Sequence, residues 1–369
     1  MRQASGESGG AVRRQRTQAT SAGMEPTAAG ASVRGASSAV RRRELAATTL
    51  GVNLAVILWG AFVRATGSGA GCGSHWPLCN GELVPRAPTV ATQIELGHRL
   101  SSGFALLLVV GIVMVARGLP RGAPYRRAAW ASLGLILTEA LIGAGLVLLE
   151  HVADDLSVAR GWWMAGHLIN TFLLLGGLAL TVWFAGAAGE PSTRSQVDEG
   201  SPQGRGQSAR SIALAALALG GVLLLGVSGA ITALGDTLFP VTSLEQGRAL
   251  TFSPDAHLFV RLRIWHPLIA LVVGGLIVLV TRPLVRASSD PAAPRLRVAL
   301  VVIYAAQLGV GLADVRWLAP VWLQLVHLLL ADLIWILLVW LVATVFWPAP
   351  RRGRREVTVG AVERIAGTA

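Results

Sequence analysis

Four of the seven histidines in this chain, His98, His167, His266 and His327, lie inside long apolar runs, where an ionisable side chain is costly and tends to be functional or paired. Each falls within roughly the first two turns of its run, and the runs are alternate ones, so the four imidazoles share about one depth. A single histidine near a helix end is ordinarily an interfacial or hydrogen-bonded residue; four at matching positions favour ligation. Zinc would draw histidine, cysteine or carboxylate ligands onto one centre, whereas here one histidine per run recurs twice over. Two imidazoles from facing helices supply both axial positions of a haem iron, and an apolar bundle buries the macrocycle. The natural pairs are His98 with His167 and His266 with His327. Gly97, Ser101, Ser102, Gly103 and Gly166 beside them leave room for a flat ring.

Glu95 stands three residues before His98, on the same helical face. It reads either as a carboxylate that moves protons or stabilises a cation during oxidation of a bound substrate, or as a first-turn carboxylate meeting the helix dipole. The position before His266 that corresponds to it holds Arg263, so the first half is the candidate reaction site and the second holds a permanent haem. Arg64 and Arg99 are placed either to pair haem propionates or to snorkel to the interface. Glu139 and Asp332, deeper in their runs, read as helix-to-helix hydrogen-bonding groups before proton relays. Trp162, Trp163, Trp265 and Trp322 read as interface anchors, and His75, His151 and His257 as solvent-facing.

Both cysteines, Cys72 and Cys79, sit in "GAFVRATGSGAGCGSHWPLCNGELVP" (60–85), between the first two apolar runs. On an oxidising face they can close a short disulfide ring; a reactive dithiol exchanging with an external partner is the competing reading. Because the segment leads directly into Glu95 and His98, it reads as a lid over the first-half site.

The elements that must position these residues are membrane spans. Hydrophobic residues make up 53% of the 369, charged ones 14%, and the mean hydropathy is +0.58. Eight runs can cross about 30 Å of hydrocarbon, near 45–63, 95–116, 129–149, 161–185, 211–233, 259–281, 297–313 and 321–347, the seventh being short. The net charge of +12 comes from arginines alone, gathered in the ends of the chain and in alternate loops; that distribution argues against nucleic-acid binding and follows the positive-inside rule. It puts both termini in the cytoplasm and the cysteine loop outside; the expected location is the plasma membrane of a bacterium. Residues 1–44 read as a disordered tail, 186–210 as a flexible linker and 348–369 as a basic tail. The linker separates 45–185 from 211–347, four spans each.

The two halves resemble one another. "GAFVRATG" at Gly60 answers "GAITALG" at Gly229, "LIGAGL" at Leu141 answers "QLGVGL" at Gln307, and the histidine pairs correspond, with offsets of 169, 166, 168 and 160 residues. An even number of spans per repeat predicts two tandem four-helix bundles related by a pseudo-twofold axis along the membrane normal.

"RATGSGAGCGSHWPLCNGELVP" followed by "IELGHR", with the later histidines, resembles the haem A synthase family over roughly residues 45–347. The resemblance implies oxidation of the C8 methyl of haem O to a formyl group through a hydroxymethyl intermediate, with water as the oxygen source. It implies that His98 and His167 hold the haem O substrate, that His266 and His327 hold a haem b cofactor, and that Glu95 is catalytic. It further implies a haem O synthase upstream and an electron acceptor it does not identify, and it leaves room for a homo-oligomer. Two departures stand out. Ser74-His75-Trp76 replaces the aspartate many relatives carry before the tryptophan, and 234–258 lacks a second cysteine pair. The competing readings are an electron-transfer cytochrome b, which often carries both histidines on one helix, and a haem carrier, which leaves an acid at only one site unexplained.

Overall fold

The computed structural model describes residues 28–185 and 202–347, with side chains described over 37–185 and 209–347. Helix α1 runs Ala28–Ala65, α2 Val90–Ala116, α3 Pro124–Leu148 and α4 Val158–Phe184. Helix α5 runs Pro202–Leu238; two short helices, α6 (Leu244–Thr251) and α7 (Leu258–Leu262), lead into α8 (Trp265–Ala287), α9 (Ala293–Arg316) and α10 (Val321–Phe346). Among the described residues, eight helical segments are long and apolar enough to cross a membrane, α7 and α8 forming one of them. The expected all-α class and span number therefore hold.

Several boundaries move. Residues 28–44, expected in a disordered tail, are helical, because their alanines and arginines favour helix even without an apolar stripe. Residues 202–210, expected in the linker, open α5, and Pro202 suits a first helical position. The short seventh span lengthens to Ala293–Arg316, and α6 occupies part of the expected 234–258 loop. Residues 1–27, 186–201 and 348–369, the remainder of the expected tails and linker, lie outside the described residues.

Local chemistry starts the helices that matter most. Thr89 caps α2 by accepting from Thr92 N at 3.1 Å, and Ser157 caps α4 by accepting from Arg160 N at 3.2 Å. Helix α1 packs on α2, α2 on α3, α3 on α4 and α4 back on α1; likewise α5 packs on α8, α8 on α9, α9 on α10 and α10 back on α5. The two sets meet mainly through α4 and α10. There Phe172 stacks on Trp335 at 5.3 Å, and Trp335 and Trp340 donate their indole N–H groups to the Phe172 and Ala179 carbonyls. Such bonds matter in an apolar core, where an unpaired indole N–H is costly.

The packed core occupies one end of the helices. The main apolar cluster begins at Ala105 in α2, Phe172 in α4, Val273 in α8 and Ile334 in α10, each five to seven residues beyond that helix's histidine. The end carrying the disulfide loop holds the histidines together with buried apolar residues outside that cluster, among them Leu146, Leu234 and Phe259.

Candidate functional site

At that end the glycines of the two similar segments acquire a purpose. A Cβ on Gly60 of α1 would lie 2.9 Å from His98 Cε1; on Gly229 of α5, 3.0 Å from His266 Cε1; on Gly311 of α9, 3.0 Å from His327 Cε1. Three imidazoles therefore set their Cε1 edge against a neighbouring helix at a glycine, where a larger residue would crowd the ring. Gly145, at the position matching Gly311, receives Trp163 instead, at 2.5 Å. All four histidines are half-buried.

His266 and His327 face one another with ring centres 6.3 Å apart and planes at 73°. Two imidazoles that share one metal at about 2 Å per metal–nitrogen bond have their ring centres about 6 Å apart. At that spacing the pair would hold one metal ion through a nitrogen of each ring. The Ser228 hydroxyl lies 2.9 Å from His266 Nδ1 and 2.8 Å from Leu225 O, so it ties that ring nitrogen to α5. The Nδ1 atoms of His98 and His327 are buried without a hydrogen-bond partner.

In the first half, His167 Nδ1 lies 3.2 Å from Glu139 Oε1, within ion-pair distance but not aligned for a full hydrogen bond. Glu139 is itself held by Asn170 Nδ2 at 2.6 Å and by the Thr171 hydroxyl. The helix-to-helix bonding expected of Glu139 is present. Asp332 differs: it is fully buried and neither carboxylate oxygen has a hydrogen-bond partner, so the bonding expected of it is absent.

An apolar pocket of about 260 Å³ is lined by Ile142, Trp162, Trp163 and Gly166, and one of about 340 Å³ by Ser228, Ile231, Leu262, Trp265 and Ile269; neither His167 nor His266 lines them. Gly103 and Gly166 face open space, whereas Gly97 packs on Trp59, and Ser101 and Ser102 return their hydroxyls to His98 O. Of the small residues expected to make room, only two do so. Trp162, Trp265 and Trp322 are exposed as anchors should be, but Trp163 turns inward against Gly145.

The cysteine segment forms a compact cap on the first turns of α2. Cys72 and Cys79 are joined as a disulfide, and Asn80 N bonds Cys72 O at 2.9 Å across the ring. Gly71 is pressed so closely on α2 that a Cβ would come 2.4 Å from the Ala91 carbonyl carbon, which is backbone and cannot yield cheaply. Glu95 is almost fully buried and accepts from Cys72 N at 2.8 Å; Arg99 grips its other oxygen at 2.5 Å and spans to His75 O and Leu78 O, both at 2.6 Å. Glu95 and Arg99 thus clasp the segment to the helix that carries His98.

Arg64 is likewise committed to protein. Its guanidinium reaches Ala233 O at 2.7 Å and Thr237 Oγ1 at 2.6 Å on α5, and Gln324 Oε1 at 2.9 Å on α10. Nearby, Asp236 pairs with Arg263 at 2.9 Å. Arg64 and Arg99, expected either to pair propionates or to snorkel to the interface, both have partners within the protein. Charge-assisted bonds of this kind contribute about 1.5–3 kcal/mol each, less where water has access. Arg64→Ala is accordingly expected to lose about 2–4 kcal/mol of stability. Arg64→Lys should regain only part of it, since an ammonium cannot fork between two helices. A thermal unfolding midpoint indistinguishable from wild type would show that the bridge between halves contributes nothing.

Two of the histidines expected to face solvent do not simply do so. His151 Nδ1 bonds Asp155 at 2.8 Å, and His257 stacks on Phe239 and accepts from Phe259 N at 3.3 Å at the start of α7. Burial alone would raise the Asp155 carboxyl, but donation from Ser157 N, His151 and the Ser157 hydroxyl outweighs it and holds the group below the usual aspartate range. His75 is exposed as expected.

A profile of the cytochrome oxidase assembly protein family matches residues 43–339. A protoheme IX farnesyltransferase of Thermus thermophilus is 45% identical over 309 residues, 84% of this chain but 48% of that protein; the chain spans about half the length of this relative. Heme A synthases are similar over a smaller part: 40% over 102 residues in Alkalihalophilus pseudofirmus, 27% of this chain and 34% of that one, and 43% over 109 residues in Bacillus mycoides, 29% and 35%.

Proposed function

This chain belongs to the cytochrome oxidase assembly protein family, and from that membership and the site geometry we propose that it is a haem A synthase, oxidising the C8 methyl group of haem O to a formyl group. The observation that carries the reading is the set of four half-buried imidazoles at one end of the helices, with His266 and His327 spaced for a single iron between them. His98 and His167 hold the substrate; His266 and His327 hold a haem b, which supplies one-electron redox chemistry when bound. The two sets of four helices are tandem repeats about an axis along the membrane normal, which gives each pair its own bundle.

Methyl to hydroxymethyl and then to formyl, with oxygen from water, releases four electrons and four protons in all. The protein must move protons at the C8 edge and keep the reacting carbon from bulk water. Glu95 is the carboxylate for the first task, and the disulfide-closed segment it clasps serves the second. An electron acceptor reoxidises the second site. The chain is a plasma-membrane protein with both termini cytoplasmic and this segment outside.

The chain's substrate is a farnesylated haem, so an enzyme forming haem O is its upstream partner. The Thermus relative supports that pairing: we assign the farnesyl transfer in its name to the portion this chain does not cover. Expression in a host that makes haem O and no haem A tests the reading. Extracted haems should include haem A or its hydroxymethyl precursor. Haem-loaded protein yielding neither would overturn it.

A further inference from the structure

The two halves anchor their histidines differently. In the second, the anchor is neutral: the Ser228 hydroxyl shares a hydrogen bond with His266 Nδ1 at 2.9 Å. In the first, it is a carboxylate: Glu139 Oε1 stands 3.2 Å from His167 Nδ1. The carboxylate is held in place from the far side. Asn170 donates to Glu139 Oε2 and to Leu135 O at 2.8 Å, while the Thr138 hydroxyl donates to Asn170 Oδ1 at 2.7 Å and thereby orients the amide. The offset matching Gly60 to Gly229 puts Trp59 opposite Ser228, and that matching Leu141 to Gln307 puts Ala305 opposite Glu139. Neither anchor has a counterpart in the other half.

We propose that Glu139 is a positioning residue that gives a haem iron on the His98 and His167 pair a lower reduction potential than one on the His266 and His327 pair, where Ser228 anchors the ligand instead. This rests on the reading that both pairs hold haem. A carboxylate against the outer N–H of a ligating imidazole raises its basicity. The added electron density and the nearby negative charge favour ferric over ferrous iron. A serine hydroxyl bonds the same ring nitrogen and supplies no charge. An electron shared between the sites therefore rests on the second-half iron: the first-half iron is oxidised by one electron, the second-half iron is reduced by one, and no proton is transferred to either anchor. That is the direction a substrate site needs if electrons are to leave it.

The test is an equilibrium redox titration of the purified full chain loaded with protohaem at both sites, followed by absorbance. His98→Ala and His327→Ala, each retaining one site, assign the two transitions. In wild type the first-half transition should be the lower. Glu139→Gln keeps the side chain's shape and an acceptor oxygen but removes the charge. It should raise that transition alone, by about tenfold in the ferric-to-ferrous ratio at a fixed potential, or about 59 mV for one electron. Ser228→Ala should leave the lower transition where it is. Equal or inverted wild-type potentials overturn the proposal even if Glu139→Gln fails to hold haem, and so does a Glu139→Gln shift that is nil or common to both transitions. Protohaem binding at neither histidine pair overturns the proposed function itself, and this inference with it.

Discussion

His327→Ala is expected to strip the second-half site, leaving purified protein with roughly half the haem of wild type and normal helix content. The imidazole fills a slot against Gly311, faces His266 at 6.3 Å and has an Nδ1 without a hydrogen-bond partner, so no described interaction of that ring with the protein would be lost except packing. Its removal leaves His266 as a single ligand, still oriented by Ser228. Loss of an outer-shell partner alone typically costs about 10–100-fold in metal affinity, and loss of the ligand itself must exceed that. Because His327 is only half-buried, alanine leaves a small void and the fold survives. Extracted haem per polypeptide is the readout, with circular dichroism as the control. Unchanged haem content would mean that the pair is a packing contact.

Glu95→Gln is expected to lower product formation by about 100-fold or more while leaving the haem spectrum nearly intact. Glutamine fits the same slot and can still accept from Cys72 N, so the segment stays seated on α2. Arg99 retains its bonds to His75 O and Leu78 O even though its ion pair with residue 95 is lost. What disappears is the carboxylate's capacity to take a proton near the reacting carbon. The comparison separates the two roles the geometry allows. A purely structural clasp would show itself as a lower unfolding midpoint with normal turnover per haem-loaded molecule, and that result would remove Glu95 from the chemistry.

These residues differ in how far the sequence exposes their roles. The four histidines are legible because a polar group in a long apolar run is rare, and the recurrence of its position in two similar segments compounds the signal. The glycines in those segments are legible as a pattern but not as a reason; only the packed helices show that Gly60, Gly229 and Gly311 each receive an imidazole. Ser228 is invisible in advance, because its nearness to His266 depends on the register of α5 against α8. Glu139 is visible as an acid in an apolar span, but its nearness to His167 depends on the register of α3 against α4. Arg64 and Arg99 are legible as cations near helix ends, but the carbonyls and the Glu95 carboxylate that receive them are brought close only by the packed loops and helices. Helix starts at Ala28 and Pro202 were missed because low apolar content reads as disorder, although alanine and arginine are good helix formers.

The central claim is that this chain itself carries out the oxidation on a haem held by its first histidine pair. Its most direct test is a single-turnover reaction with the purified, haem b-loaded full chain, haem O and a one-electron acceptor, the product haems being resolved by chromatography and mass. The account predicts hydroxymethyl and then formyl haem in wild type, neither in His98→Ala, and a reduced second-half haem while the acceptor is withheld. Haem O recovered unchanged from wild-type protein that has bound it would contradict the account.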